Sequence, residues 1–180
     1  MKKVEHGKTF DRNAANPPAF EIFHNTVTEG YPKHWHTAIE IIMPTRGEYE
    51  VVVGKDSYNL KEGDIIMINS GVVHGMRFVS QGERIVMLVE PGCVENQEEM
   101  ETIFLRLPAI YFKKEDEEDP FYLFLRSQIL ELVREYDNEG AVMTHRICTG
   151  LKELFSEFGR KGFSDANAQN TFGAMKQQEY

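Results

Sequence analysis

Residues 34–40 read HWHTAIE, and residues 63–74 read GDIIMINSGVVH. The first stretch carries His34, His36 and Glu40 at even spacing. Side chains two or four residues apart share a face of a β-strand, because successive side chains point to opposite faces. If one strand runs through this stretch, the two imidazoles and the carboxylate therefore lie together on one face.

His74 at the end of the second stretch adds a third imidazole from a different predicted strand. Met76 and Phe78 follow it at the same parity and are expected on the same face. Ile42 shares the face of the first group by the same reasoning. Ile42, Met76 and Phe78 are therefore the predicted apolar wall of a pocket beside the polar cluster, a mixture typical of small-ligand sites.

Short β-type segments separated by turn residues extend outward from both stretches. They are rich in Ile, Val and aromatic residues, and several are bounded by glycines that favour tight turns. This spacing favours an antiparallel sandwich or barrel. The predicted segments are residues 20–27, 34–44, 49–53, 57–60, 65–68, 72–79, 84–89 and 109–112.

Helical patterns replace the β-type pattern in the second half of the chain. We predict helices over residues 95–106, 121–136 and 141–158, the second one capped by Asp119 and begun by Pro120. The helix over residues 121–136 is apolar more than halfway round, so we expect it to pack on its own domain and on a second subunit. The residues expected at this homodimer interface are Tyr122, Phe124, Leu130 and Val133.

These patterns divide the chain into four parts. Residues 1–19 are polar and contain two adjacent prolines, which predicts an N-terminal arm. Residues 20–92 form the predicted barrel, and residues 93–158 form a helical region packed on it. Residues 159–180 lose the apolar pattern and are rich in Gly, Ser, Asn, Gln and Ala, as in a linker.

Composition limits the classes of partner. The net charge of −9 opposes direct binding to phosphate backbones or anionic membranes. No stretch has the roughly 20 apolar residues that span a bilayer, and no secretory signal is recognisable. Cys93 and Cys148 are the only cysteines and have no metal-type spacing, which favours a reducing compartment. We therefore expect a cytoplasmic protein with no membrane partner.

The donor set of three imidazoles and one carboxylate suits Zn, Ni, Mn or Fe(II), and ligand type alone does not choose among them. A bound metal would need an open coordination position to perform chemistry. Two alternatives remain at this point: a metal centre, and a polar pocket without metal. His6, His24 and His145 are interpreted as ordinary surface or core histidines.

The two stretches resemble the motifs of the cupin family. Gly47 follows Glu40 at the spacing of the first cupin motif, and Gly63, Gly71 and His74 fit the second. The resemblance implies a double-stranded β-helix, or jelly-roll, barrel in a mainly β protein. It also implies that His34, His36, Glu40 and His74 occupy the four metal-ligand positions. Asn69 and Phe78 depart from the second motif, where proline and asparagine are usual.

The barrel motifs, the helical hairpin after them and the polar tail together resemble the N-terminal domain of AraC-type transcription regulators. In that family a cupin barrel binds a small effector, the following helices dimerise, and a basic helix-turn-helix domain follows a linker. The resemblance implies that this chain lacks that last domain and would meet DNA only through it.

Two further functions compete with the regulator. A stand-alone cupin metalloenzyme, a dioxygenase or an isomerase, would use the same four ligands, but no acid or base is evident beside them. We therefore expect a protein that is not an enzyme. A metal-responsive sensor would use the cluster itself as the effector site. Arg84 is predicted to be exposed and solvated, with pairing to an acidic effector as the alternative.

Overall fold

A computed structural model describes residues 19–26, 30–94, 108–114, 118–138 and 140–161. Within them, strands make two antiparallel sheets. The strands are β1 (Phe20–Asn25), β2 (Tyr31–His34), β3 (Ile39–Arg46), β4 (Tyr49–Val53), β5 (Asp56–Leu60), β6 (Ile65–Ile68), β7 (His74–Phe78), β8 (Glu83–Val89) and β9 (Ala109–Phe112). One sheet has the order β1-β8-β3-β6-β9, and the other has the order β2-β7-β4-β5.

Two helices follow the sheets. They are α1 (Pro120–Asp137) and α2 (Met143–Lys161), and a 3₁₀ turn at Pro91–Val94 leaves the barrel. The side chain of Asp119 accepts a hydrogen bond from Phe121 N at 2.9 Å, as its predicted capping role requires. Neither helix in the described ranges has the length and apolar content needed to cross a bilayer.

Alternation along the five-stranded sheet produces two apolar cores. On β3, Ile39, Ile41 and Met43 pack toward the helices, whereas Ile42 lies in the interior between the sheets. Both faces of this strand are buried, and its sequence is accordingly apolar at almost every position. Each change on β3 is therefore felt on both sides of the sheet.

Helix α2 carries apolar residues at helical spacing that are all buried against the sheet and α1. They are Ile147, Leu151, Leu154, Phe155 and Phe158. The two helices approach closely at Gly150, where an added Cβ would lie 2.9 Å from Cδ2 of Leu132. A glycine is needed there because a larger side chain would push the helices apart.

The predicted strand over residues 34–44 is wrong. The chain leaves β2 at His34 and enters β3 only at Ile39, and these strands belong to different sheets. Residues 35–38 cross between the sheets. The even spacing of His34, His36 and Glu40 therefore does not put them on one strand face, and their meeting has another cause.

Several predicted segments lie wholly or partly outside the described residues. The predicted helix over residues 95–106 is one, as are almost all of the N-terminal arm and most of the tail. Helix α2 continues through Lys161, which is three residues beyond its predicted end. Strand β1 ends at Asn25, and residue 27, its predicted end, is not described.

Cys93 and Cys148 are far apart in sequence but adjacent in space. Their Sγ atoms are 3.4 Å apart, where the 3₁₀ turn packs on α2. Both thiols are half-buried and unpaired by any disulfide. Burial, together with the neighbouring Cys148, raises the pKa of the Cys93 thiol to about 12. Cys93 is therefore a protonated packing residue at neutral pH, in line with the inert role expected of it.

Tyr122 contradicts the interface prediction. Its side chain is 1% exposed and packs in the core between the helices and the sheet. Its hydroxyl donates a hydrogen bond of 2.8 Å to the carbonyl oxygen of Gly63, in the turn between β5 and β6. The sequence pattern indicates that α1 is apolar over more than half of its circumference. It does not indicate that the turn between β5 and β6 covers Tyr122.

The Tyr122 hydroxyl ties α1 to the barrel, so Tyr122→Phe should lower the free energy of unfolding by about 1 kcal/mol and leave the oligomeric state unchanged. Tyr136→Phe is the matched control on the same helix, because the described residues give its hydroxyl no partner, and it should change stability by under about 0.5 kcal/mol. Urea unfolding measures both values. Equal losses in the two variants would contradict a role for the Gly63 bond.

Candidate metal and effector site

Four potential ligands meet between the two sheets. His34 ends β2, His36 lies in the crossing segment, Glu40 is on β3 and His74 begins β7. One ligand atom from each of them lies within 4.8 Å of the others. The last three are buried and His34 is half-buried. The sequence prediction that these residues converge is therefore supported, although three strands and a crossing segment bring them together instead of two strands.

Local hydrogen bonds orient each imidazole. Nδ1 of His34 is 2.9 Å from the carbonyl of Pro32, Nδ1 of His36 is 2.9 Å from the carbonyl of Ala38, and Nδ1 of His74 is 2.8 Å from the carbonyl of Val72. A carbonyl oxygen only accepts, so each Nδ1 carries the proton and donates it. Nε2 of each ring is left to face the centre, as in metal sites whose histidines are held by backbone carbonyls.

The crossing segment itself is held by the loop before β7. Gly71 N donates to the carbonyl oxygen of His36 at 2.9 Å. Gly71 has a φ of 73°, a left-handed conformation that glycine adopts without steric cost. This contact joins the two sequence motifs directly and fixes the position of His36 relative to His74.

Glu40 is the common partner of two imidazoles. Its Oε2 lies 3.0 Å from His36 Nε2 and 2.8 Å from His74 Nε2. Burial alone would raise the pKa of Glu40, but the hydrogen bonds and charges of the two histidines lower it to about 2. Burial would likewise lower the pKa of His74, and the hydrogen bond and charge of Glu40 outweigh it and raise that pKa above its ordinary 6.5.

Without a metal, the two bonds to Glu40 need protons. A carboxylate only accepts, so each Nε2 that bonds to it must donate, while the Nδ1 of the same ring already carries a proton. An imidazole that fills both bonds is a cation. Two such cations facing one buried carboxylate leave an excess positive charge in the barrel, which is costly. A divalent metal would let both rings return to the neutral form.

The donor geometry fits such a metal. Around an octahedral ion with bonds of about 2.1 Å, adjacent donors are about 3 Å apart and opposite donors about 4.2 Å. The Glu40 distances match adjacent donors, and one donor atom of His34 lies within 4.8 Å of the other three. The cluster can therefore hold a divalent metal, and nothing in the donor set selects among Zn, Ni, Mn and Fe.

The predicted pocket wall is partly in place. Ile42 and Met76 are buried in the interior core between the sheets, on the same side of their strands as the cluster. Phe78 ends β7, and its side chain lies outside the described part of the structure. Val51 and Val86 complete the apolar surroundings.

Arg84 is the interior residue that the sequence prediction missed. Its side chain is 1% exposed, not solvated as expected. Its parity on β8 matches that of Val86 and Leu88, which face the barrel interior, so it points between the sheets. That parity was visible in the sequence. An exposed position was nevertheless expected for Arg84, because a charged side chain is rarely buried without a partner.

A surface cleft of about 350 Å³ lies elsewhere, beside β5 and β9. Its lining residues are Asn59, Lys61, Glu62, Asp64, Tyr111, Lys113 and Lys114. Asp64 is already engaged by the Tyr111 hydroxyl at 2.7 Å and by two backbone N–H groups. The cleft therefore rests on a satisfied structural carboxylate and shares no residue with the histidine cluster.

Comparison with known proteins agrees with this fold. Residues 25–90 match the sequence model of the Cupin domain family. The mainly β architecture predicted from the sequence is confirmed, with two antiparallel sheets of a cupin-type jelly roll followed by two helices. No curated protein is detectably similar in sequence.

Solved structures share the fold at low sequence identity. The apo form of a ToxT variant from Vibrio cholerae has a TM-score of 0.52 and 11% identity, covering 81% of this chain and 58% of that one. Oxalate decarboxylase OxdC from Bacillus subtilis has a TM-score of 0.37 and 18% identity, covering 40% of this chain and 21% of that one. A conserved protein of unknown function from Streptococcus pyogenes has a TM-score of 0.39 and 17% identity, covering 51% of this chain and 94% of that one. The chain thus spans about a fifth of the decarboxylase and just over half of ToxT.

In metal-free protein, Glu40→Gln should lower the pKa of His74, because burial then acts without the opposing carboxylate. An imidazole NMR titration in the presence of a chelator measures this pKa. Glu50→Gln is the matched control: Glu50 bonds to Ser57 and Arg77 and has no contact with the cluster. An unchanged His74 pKa in the Glu40 variant would contradict the pairing.

The pKa shifts of Glu40 and His74 determine the direction in which the stability of the fold changes with pH. The folded-state pKa of Glu40, about 2, is below its ordinary 4.5. Its contribution to stability is therefore complete above pH 4.5 and is lost as the pH falls toward 2. His74 has a raised pKa, so its contribution is complete below pH 6.5 and is lost as the pH rises through the folded-state value.

Metal binding should release protons and weaken as the pH falls through the raised pKa of His74, because the metal replaces the protons on the imidazoles. Calorimetry of chelator-treated protein with Zn²⁺ or Mn²⁺ in buffers of different ionisation enthalpy measures the release. His36→Ala/His74→Ala should weaken binding at least about tenfold. His24→Ala/His145→Ala is the control, and equal metal content in the two double variants would exclude the cluster as the ligand set.

Proposed function

We propose that the chain is the ligand-sensing and dimerisation domain of an AraC-type transcription regulator. In this proposal a small effector binds inside the cupin barrel, with or without a metal at the histidine cluster. A DNA-binding domain elsewhere in the protein would read the operator. The sequence resemblance to AraC-type N-terminal domains suggests this role, and the following features of the structure support it.

The observation that carries the proposal is that one sheet separates the cluster from the helices. Glu40 faces the interior, while its neighbours Ile39 and Ile41 pack into the core that holds α1 and α2. The Tyr122–Gly63 bond adds a second link between α1 and the barrel. A shift of β3 caused by an effector would therefore reach the helices directly. The fold likeness to ToxT, which covers 81% of the chain and so extends beyond the barrel, supports the same pairing of barrel and helices.

Signalling in this arrangement needs differential affinity. An effector shifts the equilibrium between two arrangements of the helices only if it binds one of them more tightly. Strand β3 offers such a means, because a close-packed layer repacks between discrete states more readily than it deforms smoothly. A bound divalent ion would supply Lewis acidity that polarises an oxygen ligand of the effector.

The outer face of α1 is the proposed dimer surface, and a second copy of this chain is its proposed occupant. Leu123 is 49% exposed and Leu130 is 39% exposed on this face, and Phe124 is half-buried beside them. Val133 packs partly against the protomer's own core and contributes only its outer edge. Large apolar side chains aligned along one helix face are typical of a buried interface.

The negative net charge of the chain argues against a DNA contact by these residues. The net charge of −9 repels a phosphate backbone, so in this proposal the DNA-binding element is a separate basic domain. The gene sequence beyond the Tyr180 codon is the direct test. A basic helix-turn-helix region of about a hundred residues is expected there. A stop codon at that point would contradict the regulator.

A cupin metalloenzyme is the second candidate, and the donor set favours it. Four protein ligands leave up to two positions of an octahedral metal for substrate or water. Against it, the described residues place no free carboxylate or further imidazole beside the ligands that could serve as acid or base. We therefore propose a role that is not enzymatic. Dioxygen uptake by Fe(II)-loaded protein in the presence of an organic acid would support the enzyme instead.

Leu123→Asp/Leu130→Asp should raise the dimer dissociation constant at least about tenfold, because each substitution places a charge in the apolar interface. Sedimentation velocity over a concentration series measures the dissociation constant. Val79→Asp is the matched control, since Val79 is similarly exposed but directly follows the barrel strand β7. A wild-type chain that stays monomeric at high concentration, or a control with the same effect, would contradict this surface.

A further inference from the structure

Arg84 is a buried cation that makes no direct contact with a carboxylate among the described residues. Its side chain is 1% exposed, and both Nε and Nη1 are buried without a hydrogen-bond partner. The described residues form no ion pair with it. Burial lowers the pKa of its guanidinium, and the neighbouring Tyr49, Tyr31 and Glu40 oppose that effect. Such a group is costly to fold, because a desolvated charge needs both a counter-charge and filled hydrogen bonds.

Aromatic contacts offset only part of this cost. The guanidinium carbon lies 4.9 Å from the ring centre of Tyr49 and 5.9 Å from that of Tyr31. Cation–π attraction acts on the face of the guanidinium and leaves its N–H groups in the plane unfilled. The hydroxyl of Tyr49 is also buried without a hydrogen-bond partner. Two guanidinium nitrogens and one hydroxyl therefore remain unsatisfied in the same part of the barrel.

Arg84 lies at the opposite end of the barrel interior from the histidine cluster. In the pairing of β3 with β8, Glu40 is opposite Leu88 and Pro44 is opposite Arg84. Four residues of strand separate these points, about 13 Å at 3.3 Å per residue. Apolar side chains, including Ile42 and Val86, line the interval. The interior is thus apolar in the middle and polar at both ends.

We propose that Arg84 is the anchor for the carboxylate of a small organic acid bound inside the barrel, a proposal that rests on the effector-sensing role above. Arginine presents N–H donors in a fork that matches the two oxygens of a carboxylate, and Tyr49 Oη can donate to one of them. One guanidinium balances one negative charge. A doubly charged phosphate would leave a buried charge uncompensated, and the apolar interval suits the hydrocarbon body of an organic acid.

Thermal unfolding and calorimetry of the full 180-residue chain test this proposal. The probes are sodium acetate, hexanoate and benzoate, with hexanamide as the neutral match, inorganic phosphate as the alternative anion and sodium chloride at equal ionic strength. We expect at least one carboxylate to raise the Tm of the wild-type chain, and hexanamide, phosphate and chloride to leave it unchanged.

The Arg84→Met variant tests whether the stabilisation by carboxylates depends on Arg84. Without ligand the variant should unfold at the same or a higher temperature than the wild type, because it replaces a buried charge that contacts no carboxylate with an apolar side chain of similar length. Its carboxylate affinity should fall about 10- to 100-fold, the loss of a charged hydrogen-bond pair. Arg84→Lys should recover part of this affinity. Arg77→Met is the control, because Arg77 is exposed and pairs with Glu50 at the surface.

Three outcomes would overturn the proposal. If Arg84→Met responds to carboxylates as the wild type does, the anchor is another residue. If phosphate or hexanamide stabilises the wild-type chain as strongly as the acids, the site does not select a carboxylate, although the barrel still senses a ligand. If Arg84→Met is less stable and no carboxylate shifts the wild type, Arg84 only supports the fold through its tyrosine contacts. None of these results removes the regulator proposal, which the gene sequence tests separately.

Discussion

Burial of β3 on both faces is the constraint on which the rest of this structure depends. One face supplies Glu40 and Ile42 to the barrel interior, and the other supplies Ile39, Ile41 and Met43 to the core that holds the helices. The part of β3 from Ile39 to Pro44 has no solvated face, so its one polar side chain, Glu40, must be satisfied by other interior residues. Glu40 meets that requirement through His36 and His74, and the histidine cluster is thus part of the solution to folding as well as a place for a ligand.

The fold could be predicted well from the sequence because its strongest signals are local. Strand positions followed from alternation and turn glycines, and the start of α1 followed from Asp119 and Pro120. The convergence of His34, His36, Glu40 and His74 was expected from residue type and motif, and the structure brings the four side chains together. The reason given for their convergence was wrong, because it assumed one strand where the chain crosses between two sheets. That crossing depends on the contact between Gly71 and His36, which joins segments 35 residues apart and leaves no periodic trace.

The errors concern contacts between elements. Tyr122 was assigned to the surface of α1 because its position on the helix is known from sequence, whereas the barrel turn that covers it is not. Arg84 was assigned to solvent because a buried charge is rare, although its parity on β8 indicated the interior. In both cases a tertiary contact outweighed a sound local rule.

The three imidazoles are oriented by carbonyl groups only two residues away in the chain. Each imidazole is therefore supported within a segment of three residues, and the support comes from main-chain carbonyl groups and not from the apolar side chains of the interior. Mutations that reshape the interior wall would leave the aim of the rings intact. Under the proposed sensing role, one effector could be exchanged for another while the cluster stays the same, so the cluster and the specificity of the barrel would be free to evolve independently.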